Sequence, residues 1–313
     1  MKITILIPFY NEEEMIEKTH NVLTKELEKM PDILFELLYV NDGSSDKTLD
    51  LMRQIARSDD RVKYLSFSRN FGKEAGMLAG FDYASGEAVI IMDGDLQNPP
   101  RLIKEMIAKY QEGYDVVNAK RSRDGERKST SFFAKLFYKI ANRLMDVKLT
   151  DGVSDFRLIG RPAINAITSL REYNRFSKGL FSWIGFKETV IEYENELREA
   201  GQTKWSFKKS LNYALDGILS FSNQPLRMIF GLGMACIVIA GIYILWLLIN
   251  YFIDPSQSVS GYFTTIFAIV FFGGVQLVSI GVLGEYIGKI FYEVKGRPHY
   301  IIQESNIEKG DQE

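Results

Sequence analysis

Two carboxylates one residue apart, Asp93 and Asp95, close the apolar run Ile90-Ile91-Met92, and the amide of Gln97 follows two residues later. On a strand, residues i and i+2 project to the same side, so the pair is expected to converge on one cation with Gln97 as a third oxygen donor. Hard oxygen donors suit Mg²⁺ or Mn²⁺ rather than zinc. A cation so held would in turn hold a diphosphate. The same residues also make an acidic turn that caps the next helix, and the pair alone leaves both readings open.

The elements that must position these residues are legible in the first 120 positions, where short apolar runs alternate with amphipathic stretches. Residues 3–9, 36–41, 62–66, 88–92 and 115–119 read as strands, and 13–29, 46–57, 74–84 and 100–111 as the helices between them. Such alternation predicts a mostly parallel α/β sheet covered on both faces, with ligands bound beyond the carboxyl ends of the strands. Those ends carry the polar runs Pro8-Phe9-Tyr10-Asn11-Glu12, Asn41-Asp42-Gly43-Ser44-Ser45-Asp46, Ser68-Arg69-Asn70-Phe71-Gly72-Lys73 and Asp93-Gly94-Asp95. Four polar loops on one rim make a site. Asp42 is placed to accept hydrogen bonds from a base or ribose, although Asp-Gly-Ser-Ser-Asp is also a good helix entry. Neither G-x-G-x-x-G nor G-x-x-x-x-G-K-[ST] occurs, so the usual dinucleotide fold and the P-loop lose support.

In order and spacing these four runs resemble glycosyltransferase family 2, and most closely its polyprenyl-phosphate branch, the enzymes similar to dolichyl-phosphate mannose synthase and bactoprenol glucosyltransferase. The resemblance continues through Asn98-Pro99-Pro100, Ser154-Asp155-Phe156-Arg157-Leu158, Arg198-Glu199-Ala200-Gly201-Gln202-Thr203-Lys204-Trp205, Gly284-Glu285-Tyr286-Ile287-Gly288-Lys289 and Val294-Lys295-Gly296-Arg297-Pro298. It implies a GT-A fold that binds a nucleotide-sugar, expected to be a UDP-sugar, and passes the sugar to a polyprenyl phosphate such as undecaprenyl phosphate. Pro8, Tyr10, Glu12 and Asp42 would contact uridine and ribose, with Asp93 and Asp95 at the diphosphate. Asp93, Asp95 and Gln97 would hold the Mg²⁺ or Mn²⁺. Asp155 stands at the position usually proposed as catalytic base and is grouped with Arg157 as catalytic, a structural pair between the two being the alternative. A phosphate monoester, with a second pKa near ~6, is largely ionised at neutral pH, so Asp155 is expected to orient a substrate as much as to take a proton.

A bound lipid phosphate requires cations. The basic loop Lys120-Arg121-Ser122-Arg123 with Arg127 and Lys128 is expected to supply them, together with Arg198 and Lys204. The resemblance favours Arg121 and Arg198 near phosphates and residues 127–131, ending at Ser131, near the acceptor; Arg123 reads as a solvated charge. An apolar helix follows these basic residues in place of base-stacking aromatics, which argues against nucleic acid.

The last third of the 313 residues is different in kind. No charge occurs between Arg227 and Asp254, or between Asp254 and Glu285, and each gap exceeds the roughly 20 residues that span a bilayer core. Two transmembrane helices are predicted near 228–252 and 262–286. Lys and Arg flank the pair and are missing from the link, so the catalytic domain and the C-terminus are expected in the cytoplasm and the protein in the cell membrane. Nothing at Met1-Lys2-Ile3-Thr4 marks secretion. The net charge of −2 averages an acidic rim against basic patches, and the single Cys236 lies inside the first span, where it can form no intrachain disulfide.

These readings divide the chain into a GT-A domain (1–202), an amphipathic juxtamembrane helix (203–226), a two-helix membrane domain (227–290) and a cytoplasmic tail (291–313). Helices over 131–145 and 205–221 are expected to lie on the leaflet with lysines toward headgroups. Gly273, Gly274, Gly281, Gly284 and Gly288 would permit close helix packing and homo-oligomer contacts. His20 and His299 have no partner at ligand spacing, and residues from Glu304 onward read as disordered. Two rival functions remain. A processive polysaccharide synthase would need more spans and usually Gln-x-x-Arg-Trp, where this chain has Gln202-Thr203-Lys204-Trp205. A non-catalytic membrane scaffold would tolerate loss of the metal carboxylates, which are present.

Overall fold

The computed structural model describes residues 1–122, 138–194, 217–253 and 261–307. Chain order is β1 (Lys2–Phe9), α1 (Ile16–Leu27), β2 (Leu34–Asn41), α2 (Thr48–Ser58), β3 (Val62–Phe67), α3 (Lys73–Tyr83) and β4 (Ala88–Ile91). A 3-10 turn (Pro100–Leu102) then leads into α4 (Ile103–Gln111), followed by β5 (Val116–Arg121), β6 (Val153–Gly160), α5 (Arg161–Ser169), α6 (Ser177–Trp183) and β7 (Glu188–Tyr193). Two long helices, α7 (Gln224–Ile253) and α8 (Tyr262–Val294), precede a last strand, β8 (Ile302–Ser305).

The strands form one sheet in the order β7-β5-β6-β4-β1-β2-β3-β8. The inner strands β1, β2, β3 and β4 run parallel, as the α/β alternation predicted, while β6 runs antiparallel between β4 and β5, and β8 antiparallel beside β3. Strands buried on both faces read as continuous apolar runs, and Ile3, Ile5, Leu6 and Ile7 of β1 are wholly buried. Ile3, Ile5, Ile7 and Phe9 pack with α1, α2 and α4 on one face; Leu6, Leu38 and Val40 pack with α3 and α5 on the other. A methyl at Gly80 of α3 would lie 2.2 Å from Leu6 Cδ1, so this glycine lets the helix lie directly on β1. The register brings the ends of β1, β2 and β3 level: Phe9 faces Asn41, and Asn41 faces Ser66. The four polar loops therefore start from one rim.

The two apolar helices have 30 and 33 residues, longer than the spans read from the sequence, and 224–243 and 264–294 are apolar enough to cross a membrane. Their described side chains are broadly exposed, unlike those of a soluble core helix and in keeping with candidate membrane spans. The hairpin is tied to the globular part. Tyr286 donates to the Ser222 carbonyl, the Glu293 carboxylate accepts from the Tyr173 amide, and Tyr173 stacks on Tyr292 with centroids 5.4 Å apart. A third cluster, with Ala141, Met145, Phe176, Leu180 and Phe221, packs above this junction.

One expectation is corrected. Residues 302–305 belong to the sheet, and disorder from Glu304 onward does not hold through Ile307: Arg53 makes two bonds to the Glu304 carboxylate, and Tyr64 donates to it at 2.7 Å. Arg53 and Tyr64 come from α2 and β3, far away in sequence, so composition of the tail alone could not reveal them. His20 and His299, read as having no partner at metal-ligand spacing, make ordinary hydrogen-bond contacts: Tyr39 Oη lies 3.0 Å from His20 Nδ1, and the Arg171 carbonyl 3.3 Å from His299 Nε2. Of the helix expected over 131–145, residues 138–144 are described and helical; Ala141 and Met145 are buried while Ile140 is exposed. Most of the helix expected over 205–221 lies outside the described residues.

Candidate active site

The first two rim loops are knitted into one surface. The Asn11 amide donates to Ser44 Oγ, the Ser45 amide donates to Asn11 Oδ1, and the Glu12 amide donates to Thr48 Oγ1. Asn11 takes φ +52°, a left-handed conformation that Asn tolerates better than most residues. This leaves Tyr10 exposed, with Pro8 and Glu12 partly so, on the side expected to receive a base and ribose.

Asp42 is occupied differently from the expectation. Its carboxylate accepts from the Phe71 amide at 2.7 Å and from the Gly72 amide at 2.9 Å, and the residue is only 4% exposed. Burial raises its pKa against the lowering effect of those two bonds. Asp42 is therefore the anchor of the third loop, and any nucleotide contact must use what these bonds leave. Beside it Gly43 takes φ +64°, and a methyl there would lie 2.2 Å from the Arg69 carbonyl carbon.

Asp93 and Asp95 do not lie on a strand. β4 ends at Ile91, and the pair sits in the turn beyond it. The strand periodicity invoked for their convergence therefore does not apply; the turn positions them instead. Asn98 Oδ1 accepts from the Asp93 amide, Asp95 Oδ1 accepts from the Gln97 amide, and Thr19 donates to the Gly94 carbonyl at 2.7 Å. Gly94 rests on Phe9, and Leu96 takes φ +58°, a strained conformation for a side chain of its size.

The centre of the site is an ion bridge. Lys73 Nζ lies 2.6 Å from Asp93 Oδ1 and 2.7 Å from Asp155 Oδ2, joining the turn after β4 to β6. Burial raises the Asp155 pKa, but the charges of Lys73, Lys178 and Arg157 outweigh it and hold Asp155 well below the usual carboxylate range. Asp155 is an anion at neutral pH and a weak proton acceptor. Burial lowers the Lys73 pKa, but the two carboxylates more than reverse this.

Arg157 flanks this centre. Its guanidinium lies over the Phe181 ring at 3.9 Å from the centroid, and it donates to the Ser154 carbonyl at 2.8 Å. It lines a small inner cavity of about 30 Å³. A larger cavity of about 230 Å³ opens beside the acidic turn and is lined by Asp93, Gln97, Arg121, Ser154, Lys178 and Tyr193 among others. The structure thus brings Asp93, Gln97 and Arg121 to one cavity and joins Asp155 to them through Lys73. Of the expected acceptor ligands, Arg127, Lys128, Ser131, Arg198 and Lys204 lie outside the described residues.

Sequence reasoning missed Lys73 and Lys178. Lys73 was visible as the last residue of the third rim loop; Lys178 stands in no recognisable motif. Among the described residues no cluster of three His, Cys, Asp or Glu side chains could hold a metal, which leaves two carboxylates and an amide as the donor set. That set fits a hard divalent ion, and the ammonium 2.6 Å from Asp93 shows that the local field already favours a cation.

The family model for glycosyl transferase family 2 matches residues 4–168, and that for the GtrB C-terminal hairpin matches 224–290. The putative glycosyltransferase CsbB of Bacillus subtilis (strain 168) is 49% identical over 309 residues, covering 99% of this chain and 93% of that protein. The SfII prophage-derived bactoprenol glucosyl transferase of Shigella flexneri is 43% identical over 309 residues, covering 98% and 99%. Among solved structures, glucosyl-3-phosphoglycerate synthase from Mycobacterium tuberculosis in complex with Mn²⁺, UDP and phosphoglyceric acid aligns at 17% identity with a TM-score of 0.46, over 70% of this chain and 76% of that one. The family match over residues 4–168 and the full-length relatives place the chain: it belongs to glycosyl transferase family 2.

Proposed function

We propose that the protein moves a sugar, glucose or N-acetylglucosamine, from its UDP-sugar to undecaprenyl phosphate or a similar polyprenyl phosphate at the cytoplasmic face of the cell membrane. The observation that carries this reading is full-length correspondence: the relative named for bactoprenol glucosylation matches from the first strand through the apolar hairpin, with 98% of this chain covered. The hairpin would hold the enzyme where a polyprenyl chain lies, with both helices spanning the bilayer. Pairing of two copies through the α8 glycines belongs to the same reading. A methyl at any of those five glycines meets nothing among the described residues within 4 Å, which is compatible with contact to a second copy.

In the reaction a phosphate oxygen of the lipid attacks the anomeric carbon, the bond from that carbon to the diphosphate breaks, and UDP leaves with the electron pair. The configuration at that carbon inverts. Because the acceptor arrives already ionised, no proton need be removed. Asp93, Asp95 and Gln97 would hold Mg²⁺ or Mn²⁺, which when bound supplies Lewis-acid neutralisation of the departing diphosphate. Asp155, fixed as an anion by Lys73, orients a substrate or faces positive charge that develops on the sugar. Tyr10 and Pro8 present a flat surface for the uracil ring, Glu12 faces the ribose, and Asp42 holds the loop that closes beside them. Arg121, which lines the same cavity, would bind a phosphate.

The test is incubation of detergent-purified protein with Mg²⁺ or Mn²⁺, polyprenyl phosphate and a panel of radiolabelled nucleotide-sugars. A labelled lipid from one donor is expected; no product from any donor overturns the reading.

A further inference from the structure

Most charged groups around the acidic rim have a partner that accounts for them. Lys73 lies between Asp93 and Asp155, and the Glu74 carboxylate accepts from the Ser177 amide at 3.2 Å and from the Ser177 hydroxyl. Lys178 is different. It lines both cavities, the larger beside Asp93, Gln97 and Arg121 and the smaller beside Arg157, yet its ammonium makes no hydrogen bond or ion pair among the described residues.

A cation partly withdrawn from water, with the Asp155 charge nearby but no carboxylate in direct contact, costs free energy until an anion arrives. Burial depresses the Lys178 pKa; Asp155 pulls it up, and Arg157 and Lys73 push it further down. The backbone gives this side chain little freedom to retreat. Ser177 is bound to Glu74, the Gly179 and Leu180 amides both donate to the Phe176 carbonyl, and a methyl at Gly179 would lie 2.6 Å from Phe221 Cε2. The residue is held by α3 on one side and by the base of the hairpin on the other.

We propose that Lys178 is a phosphoryl ligand of the larger cavity, its ammonium binding an oxygen of a phosphate group that enters beside Asp93 and Gln97. The inference rests on the reading of polyprenyl-phosphate glycosyl transfer given above and names a residue which that reading does not use. A cavity of about 230 Å³ is smaller than the ~300 Å³ or more of pockets that enclose drug-sized ligands, so it suits a sugar and one phosphate rather than a whole nucleotide-sugar. That phosphate has two possible sources, the donor diphosphate and the acceptor monoester.

Full-length Lys178→Met and Lys178→Arg proteins in detergent separate the sources. Two constants are measured: the Kd of UDP with Mn²⁺ by calorimetry, and the KM of polyprenyl phosphate. The Met substitution is expected to raise at least one of them tenfold or more at an unchanged thermal midpoint, and Arg to recover most of the loss. A raised lipid KM with unchanged UDP affinity assigns the acceptor phosphate; weakened UDP binding assigns the donor. Both constants within twofold of wild type overturn the proposal. Should the Met protein not fold, lysine acylation of the wild type followed by mass spectrometry decides. Protection of Lys178 by UDP with Mn²⁺ or by short-chain polyprenyl phosphate supports the proposal, and equal labelling with and without both ligands overturns it. Wild-type protein that makes no labelled lipid defeats the earlier reading instead, while UDP affinity and labelling still judge Lys178.

Discussion

Lys73 and Asp155, 82 positions apart in the chain, meet at 2.7 Å between Nζ and Oδ2, and the same ammonium reaches Asp93. One cation thereby fixes the spacing between the acidic turn and the strand that bears Asp155. Replacing Lys73 with Met should leave two carboxylates without their shared counter-charge. Because the Lys73 side chain is about two-fifths exposed, the loss of stability should be modest, about 1 kcal/mol once solvent screening is allowed for. Turnover should fall by a factor of ten or more, since Asp155 loses its orientation. Chemical denaturation and initial rates on the same preparation check the two effects separately.

Asp95→Asn should abolish turnover by about a hundredfold or more while the unfolding midpoint moves little. Mn²⁺ binding followed by electron paramagnetic resonance should weaken in parallel. A variant that loses activity but binds Mn²⁺ like the wild type would remove Asp95 from the metal site.

Gly43→Ala tests the turn between the first and third rim loops. Its φ of +64° and the 2.2 Å approach to the Arg69 carbonyl carbon leave no room for a methyl, so a loss of about 2 kcal/mol is expected. UDP affinity should fall as well, because Asp42 next to it would release the amides of Phe71 and Gly72.

Glu304 makes stability depend on acid. Its bonds from Arg53 and Tyr64 lower its pKa to about 2, against roughly 4.3 for an unfolded glutamate. A depressed carboxylate pKa stabilises the fold above the unfolded value, and that contribution is lost as pH falls from about 4.3 toward 2. Glu304→Gln should flatten the decline over this window, by about 1 kcal/mol after discounting for solvent exposure. Urea denaturation between pH 2 and 5 measures it.

Orientation is checked with thiol chemistry. In a Cys236→Ser background, Ser256→Cys places a lone thiol in the link between the apolar helices. An impermeant maleimide should label it in intact cells. Labelling only after lysis would reverse the proposed topology.

Much of this architecture could be read from pattern because it is local. The apolar runs of β1 to β5 and the intervening amphipathic helices follow from periodicity, and the rim loops follow from where those runs stop. The long uncharged stretches gave the two apolar helices for the same reason. What escaped depends on contacts remote in sequence. β6 enters the sheet antiparallel between β4 and β5, and no run of residues announces a neighbour. The bonds from Phe71 and Gly72 to Asp42 escaped because backbone amides carry no side-chain signature of that role. Asp93 and Asp95 were assigned to the correct loop by the wrong geometry, since β4 stops at Ile91, two residues short of Asp93. Lys178 was invisible because a lysine gains meaning only from the cavity it faces.

The pairing of β8 with β3 sets an order of events during synthesis. Residues 302–305 leave the ribosome after both apolar helices, so the sheet cannot acquire its eighth strand until the hairpin has been made. Until then the edge of β3 offers unpaired amides and carbonyls, and Tyr64 and Arg53 lack their carboxylate. If the hairpin inserts in the bilayer as proposed, that insertion and completion of the sheet are joined in time, and a chain that stalls between them would carry an open strand edge already held at the membrane surface.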